Sequence, residues 1–171
     1  VIYLFDANVL ITASNTYYPV DRVPEYWSWV THHAKIGRIK MPIEIVDEIL
    51  AGHKDDDPLK SWLRDNKNRL TLDEAVNVSL IQRVVSEGYA PNLTEDELGQ
   101  TGRDPFLVAY ALAKPGRCVV TTEVSRPKSK RQNRRIPDVC RTFDVSCCGP
   151  FEVYRDLGFR TSWENPKISA V

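Results

Sequence analysis

Val1-Ile2-Tyr3-Leu4-Phe5-Asp6 opens the chain, and Cys118-Val119-Val120-Thr121-Thr122-Glu123 repeats its plan: a short apolar run, rich in β-formers, that stops on an acid. Apolar runs of this length without polar alternation are typical of strands buried on both faces, as in a parallel sheet. The residues between them have helical character. Pro24 starts a helix whose Tyr26, Trp27, Trp29 and Val30 supply apolar surface, and Gly37 stops it. Pro42 opens a second helix that runs through Leu50 and ends near Gly52. At about 100° per residue, Ile43, Val46 and Leu50 share one of its faces, and Glu44 and Glu48 stack on another.

Further along, Asp55-Asp56-Asp57-Pro58 predicts a turn and residues 59–66 a helix. Thr71 and Glu74 have the spacing of a capping box, predicting a helix from Ala75 to about Glu87. The polar stretch 89–103, with Pro91 and two glycines, reads as a loop. Asp104-Pro105 reads as the N-cap and first residue of a helix over 106–113, apolar on nearly every side and so internal. Residues 142–146 read as a short strand and 151–157 as a closing helix. Buried strands separated by helices define an α/β fold: one domain over 1–160 with a mostly parallel central sheet flanked by helices, then a polar tail over 161–171.

Bulk composition narrows the function classes. The chain has 171 residues, 42% hydrophobic and 27% charged, which suits one globular domain rather than a disordered chain. Its 23 Lys and Arg balance 23 Asp and Glu, so any nucleic-acid affinity must come from local clustering of charge. Apolar runs are far shorter than the roughly 20 residues that span a bilayer, and the opening residues lack a basic n-region. No membrane association and a cytoplasmic location are the expectations. Cys118, Cys140, Cys147 and Cys148 have no C-x-x-C spacing, so reduced thiols are expected rather than a zinc site.

The acids carry the functional reading. In open parallel sheets, ligands collect beyond the carboxyl ends of the strands, where Asp6 and Glu123 stand. Asp104 heads the helix that leads into the second strand, and Glu48 lies late on a helix whose other face is apolar. An acid ending a buried strand needs partners, although Asp104 alone could be an N-cap and Glu48 part of a solvated face. Converging carboxylates raise one another's pKa unless a cation neutralises them, and hard oxygen ligands suit Mg²⁺ or Mn²⁺. Directly after Glu123, residues 126–135 carry six cations and no acid: Arg126, Lys128, Lys130, Arg131, Arg134 and Arg135. Such a loop suits phosphate contacts, though charge runs are more often merely solvated.

In their order along the chain these segments resemble the PIN domain superfamily, in a toxin-like branch. The carriers are Asp6-Ala7-Asn8-Val9-Leu10-Ile11, the helix of Glu48, Gly102-Arg103-Asp104-Pro105-Phe106-Leu107-Val108-Ala109-Tyr110-Ala111, and Val119-Val120-Thr121-Thr122-Glu123. The resemblance spans roughly residues 1–148. It implies a Mg²⁺- or Mn²⁺-dependent endoribonuclease, the toxin of a type II toxin–antitoxin pair, with RNA as substrate. An antitoxin protein and a second copy of the chain are the implied partners. Asp6, Glu48, Asp104 and Glu123 would be the metal and catalytic residues, with Asn8 and Thr121 supporting. Many relatives have Asp where this chain has Glu123, whose longer arm favours water-mediated contact over direct ligation, and the basic loop 126–135 is longer than in the shortest toxins, so Asp138 competes for the fourth place. Two other readings stay open: a HAD-type phosphatase with Asp6 as nucleophile, which lacks the second Asp at position 8, and a non-catalytic PIN-like module that binds RNA or protein.

Overall fold

A computed structural model describes residues 1–52 and 56–165. Its centre is a four-stranded, all-parallel sheet in the order β2-β1-β3-β4, with β1 at Ile2–Phe5, β2 at Ile39–Lys40, β3 at Arg117–Val120 and β4 at Ser146–Cys148. The fold is thus α/β with a single sheet, as the apolar runs predict. Leu4, Phe5, Val119 and Val120 have no exposed surface, the expected state of strands covered on both faces.

Nine α-helices among the described residues flank the sheet: α1 Ala7–Thr12, α2 Pro24–Lys35, α3 Ile43–Gly52, α4 Pro58–Leu70, α5 Val78–Arg83, α6 Glu95–Gln100, α7 Asp104–Ala113, α8 Ile136–Thr142 and α9 Pro150–Asp156. Short π-helical turns prolong α1 over Ala13–Tyr17 and α5 over Val84–Tyr89. No helix is long and apolar enough to cross a membrane, among the described residues. From β1 the chain steps outward to β2, then returns through α3–α7 to place β3 on the other side of β1. The strand order therefore reverses between β1 and β3, and in open parallel sheets ligands collect beyond the carboxyl ends of the strands at such a point.

Aromatic packing fixes α2 against α9. Trp29 is fully buried and donates from Nε1 to the Leu157 carbonyl at 3.3 Å, and the Tyr26 and Tyr154 hydroxyls bond at 2.8 Å. Trp29→Ala would cost about 3–5 kcal/mol. Trp163, in the expected tail, donates to the Glu25 carbonyl at 3.1 Å and so belongs to the folded body. Residues 166–171 of that tail, and Asp55 of the expected turn, lie outside the described residues.

The structure redraws several boundaries. Helix α3 buries Ile45, Val46 and Ile49, while Ile43 and Leu50 are half-buried, so its core face is rotated from the expected one. Thr71 caps nothing that follows: its hydroxyl donates back to the Lys67 carbonyl, and α5 starts later, under Asn77, whose side chain accepts from Leu80 N. The capping box lies instead at Thr94 and Glu97, and it starts α6 inside the expected loop. Residues 136–142 form α8, and the strand predicted over 142–146 begins only at Ser146, after Asp144 adopts a positive φ of 59°. All four cysteines are free thiols.

Candidate active site

Asp6 is the residue after β1. Its backbone N–H still donates to the Val120 carbonyl at 2.9 Å, so the last rung of the β1–β3 ladder fixes its position. The side chain is 3% exposed, and its Oδ2 accepts from the Thr121 hydroxyl at 2.9 Å. Asn8 Nδ2 lies 3.5 Å from the same oxygen, too far for more than a weak contact. Burial pushes the Asp6 carboxyl up to about 6; Thr121 opposes the rise, and Glu123 and Glu48 add to it.

Asp104 comes from the start of α7, far along the chain from Asp6. The expected N-cap role does not hold: Arg103 is the N-cap, Asp104 is already helical, and no side-chain cap bond is made. Among the described residues its carboxylate accepts no hydrogen bond. Burial, then the charges of Asp6, Glu123 and Glu48, push it up to about 8, with Arg135 the opposing cation. Glu48 reaches the same place from α3. Its Oε1 lies 3.8 Å from where a Cβ on Gly102 would sit, and Gly102 holds a left-handed φ of 56° at the turn into α7. A side chain at 102 would strain that left-handed turn, while its Cβ would meet Glu48 only in ordinary van der Waals contact. Glu48 stands at the solvent edge, and partial desolvation still lifts its pKa, with Arg103 opposing. Glu44, one turn earlier on α3, acts on Tyr110 instead.

Glu123 lies three residues past the end of β3 rather than at it. Its backbone N–H donates to Thr121 Oγ1 at 3.1 Å, so one threonine hydroxyl ties together the two strand-end acids. Its oxygens already have partners: Oε1 takes Arg135 at 2.8 Å, and Oε2 takes the Ile136 N–H at the start of α8, also at 2.8 Å. Asp138 is bound more completely still. It is 3% exposed and accepts from the Ser125 hydroxyl at 2.5 Å, Arg126 N at 2.6 Å and Arg141 at 3.0 Å. Burial alone would raise its pKa; these donors outweigh it and hold the group below the ordinary range. Asp138 is thus a bolt between the basic loop and α8, and Glu123 is the acid that acts on Asp6 and Asp104.

The basic loop divides in two. Arg131, at a positive φ of 54°, is held by Glu97 at 2.6 Å and by Asn92 at 2.9 Å. Arg134 donates to the Gly88 and Asp138 carbonyls, and Arg135 to Glu123. These three hold the loop down. Arg126, Lys128 and Lys130 are exposed and make no side-chain ion pair among the described residues.

One residue of the site has no signal in the sequence pattern. Tyr89, placed in a polar loop by composition, ends the π turn after α5 and is 6% exposed, and its hydroxyl has no partner among the described residues. A Cβ on Gly88 would come within 2.8 Å of Val139, so only glycine lets this turn press onto α8. Burial raises the phenol's pKa, and the charges of Asp104 and Glu123 raise it further, so Tyr89 lies within electrostatic reach of those carboxylates.

Four carboxylates from β1, α3, α7 and the segment after β3 therefore share one electrostatic neighbourhood at the reversal point of a parallel sheet. Their side chains are not disposed as ligands: no three Asp, Glu, His or Cys are grouped to hold a metal ion, among the described residues. Glu123's bonds to Arg135 and Ile136 and the mutual repulsion of the acids both oppose such grouping. The donor chemistry nevertheless fits a hard divalent cation, because the four acids offer carboxylate oxygens and the carboxylate of Asp104 accepts no hydrogen bond among the described residues. The molecule is of the class of parallel α/β domains with an acidic site at the switch point. The chain belongs to the family described as a domain of unknown function (DUF4411), whose model matches residues 3–161 and so contains all four acids. No curated protein and no solved structure matches it.

Proposed function

We propose that this chain is a PIN-like, Mg²⁺- or Mn²⁺-dependent endoribonuclease and the toxin of a toxin–antitoxin pair. One observation carries the reading. Asp104 is a half-buried carboxylate that accepts no hydrogen bond among the described residues, and desolvation with the charges of Asp6, Glu123 and Glu48 pushes it up to about 8. A protein keeps such a group where a cation or a reacting proton completes it. Asp6, Glu48 and Asp104 would hold the ion, with Glu123 as the fourth acid once Arg135 is displaced or shared. A bound divalent ion would supply an activated water and neutralise charge on a phosphodiester.

The chain's own residues have separate tasks. Thr121 fixes the rotamer of Asp6 and the backbone of Glu123, so the two strand-end acids move as one unit. Tyr89 keeps a buried, unpartnered hydroxyl within electrostatic reach of Asp104 and Glu123 among the described residues. Arg126, Lys128 and Lys130 are the loop cations free for RNA phosphates. Cytoplasmic location, RNA substrate and antitoxin partner belong to this same proposal. The test is cleavage of end-labelled RNA of mixed sequence by the purified chain in Mn²⁺. We expect endonucleolytic products that vanish with EDTA and with Asp6→Asn. Intact RNA at every Mn²⁺ concentration, in protein that is folded by circular dichroism, would reject the reading.

A further inference from the structure

Next to the carboxylates lies a cavity of about 290 Å³ with aromatic walls, and the proposed chemistry makes no use of it. Its floor includes Val9 and Ala13 of the α1 segment, and its inner wall includes Thr121 and Glu123. Thr121 is the residue whose hydroxyl holds Asp6, so this cavity and the acidic site share a wall. At its mouth stand Tyr17, 51% exposed, and Phe151, 45% exposed, their rings edge to face with centroids 5.3 Å apart. Exposing two large rings together is costly in water unless something covers them.

The rings are held rather than loose. The neighbouring Tyr18 stacks on Tyr26 at 4.5 Å, and its carbonyl accepts from Trp27 Nε1 at 2.8 Å, anchoring the backbone that carries Tyr17. Phe151 stands in the first turn of α9 with Tyr154 behind it at 5.5 Å. A preordered aromatic site loses little side-chain entropy on binding a flat ring.

We infer that this cavity is a stacking subsite for one unpaired nucleobase of a single-stranded RNA whose backbone lies at the carboxylates, an inference that rests on the ribonuclease reading. Three features select that occupant. The cavity lies at the small end of ligand sites, which run from about 300 Å³ upward, so it admits one planar ring and no protein helix. Its lining combines the aromatic residues Tyr17, Phe151 and Tyr154 with the polar residues Thr12, Thr122 and Glu123, which suits an aromatic ring with polar edges. Its shared wall with Asp6 means that a nucleotide beside the bound phosphate would project its base there. In a duplex, the same base would first have to unstack at a cost of a few kcal/mol, so single strands are selected.

The test uses the full chain carrying Asp104→Asn, so that binding is read without cleavage. The probe is a short RNA oligomer of mixed sequence with 2-aminopurine at successive positions, single-stranded or annealed to its complement. Fluorescence should be quenched by stacking at one position in the single strand and at none in the duplex. Replacing both Tyr17 and Phe151 by Ala should abolish that quenching and weaken single-strand binding by about 5- to 150-fold. An abasic site at the same position should weaken binding to a similar extent and make the double replacement nearly silent. If the double variant binds the single strand as tightly as its parent, the inference is overturned, while Mn²⁺-dependent cleavage by the unmutated chain keeps the nuclease reading intact. If the unmutated chain neither binds nor cleaves RNA, both fall together.

Discussion

Asp138 is buried and Asp104 half-buried, and their surroundings treat the two carboxylates in opposite ways. Asp138 has a hydroxyl, a backbone N–H and an arginine on its oxygens and is held below the ordinary carboxylate range. Asp104 has three other acids as neighbours and no donor, and is pushed up to about 8. Burial alone does not mark a candidate functional acid; desolvation beside like charges without a protein donor does. The same contrast separates the cations. Arg131, Arg134 and Arg135 are structural because they complete acids or carbonyls, while Arg126, Lys128 and Lys130 are left for something outside the chain.

The largest effect is expected at Asp104. If it holds the metal, Asp104→Asn should reduce RNA cleavage by at least about 100-fold, since removing even the outer partners of metal ligands costs 10- to 100-fold. The same variant should be more stable than its parent in alkaline solution. The sign follows from linkage: the folded-state pKa is raised, so the native state binds more protons than the unfolded one and stability falls as pH rises from about 4 through about 8. Melting at pH 9 should show a gain of up to about 3 kcal/mol for Asp104→Asn, nearly absent at pH 4. A loss of stability at pH 9 would place Asp104 with Asp138 after all.

Asp138→Asn should do the reverse. Its folded pKa is depressed, so its contribution is present above about 4 and disappears as pH falls through the lower native value. Near neutral pH the change should cost about 1–3 kcal/mol, and the loss should shrink in acid. Cleavage per folded molecule should change far less than with Asp104→Asn. Denaturant midpoints alongside single-turnover rates separate the two outcomes, and equal activity losses at both sites would erase the comparison.

A middle-sized effect is expected for Thr121→Val, which removes the donor to Asp6 and the acceptor of the Glu123 N–H. We expect about 1–2 kcal/mol of lost stability and a further rise in the Asp6 pKa, seen as an alkaline shift of the acid limb of the pH–rate profile. An unmoved limb would mean that Asp6 does not titrate in that step. The smallest effect is in the loop. Replacing Arg126, Lys128 and Lys130 by Ala should flatten the salt dependence of RNA binding by up to about 0.7 log–log units per lost contact, with no loss of stability. Arg131→Ala should instead loosen the loop, which limited proteolysis would report.

The parts of this molecule that are periodic or terminal were legible in the sequence. An apolar run stopping on Asp6 predicts β1, a second run predicts β3, and an all-round apolar helix after Asp104 predicts the internal α7, so the α/β class follows from local pattern alone. Glu48 was legible as an acid on the half-polar side of α3, though the core face of that helix was misjudged because Ile43, Val46 and Leu50 satisfy the same period as the observed Ile45, Val46 and Ile49. What stayed hidden depends on tertiary contact. Strand β2 has two residues, too few to show a pattern. Tyr89 enters the site through a π turn, which has no hydrophobic period of its own and depends on Gly88 meeting Val139. The division of the basic loop is invisible locally, because Arg131 finds Glu97 and Arg134 finds Gly88 across long stretches of chain. Thr94-x-x-Glu97 is a local capping signal, and Thr71-x-x-Glu74 has the same spacing, but the Thr71 hydroxyl turns back to close α4.

The central claim is that the four acids are completed by a divalent cation, and proton-linked binding tests it most directly. Mn²⁺ is titrated calorimetrically into the chain at pH 7, in two buffers of different ionisation enthalpy. With Asp104 near 8 and Asp6 near 6, the first is mostly protonated at that pH and the second mostly ionised. Binding should therefore release about one proton, and Asp104→Asn should abolish that release and weaken binding by at least about tenfold. Absence of Mn²⁺ binding, or binding with the same affinity and proton release in Asp104→Asn and Asp6→Asn, would contradict the account.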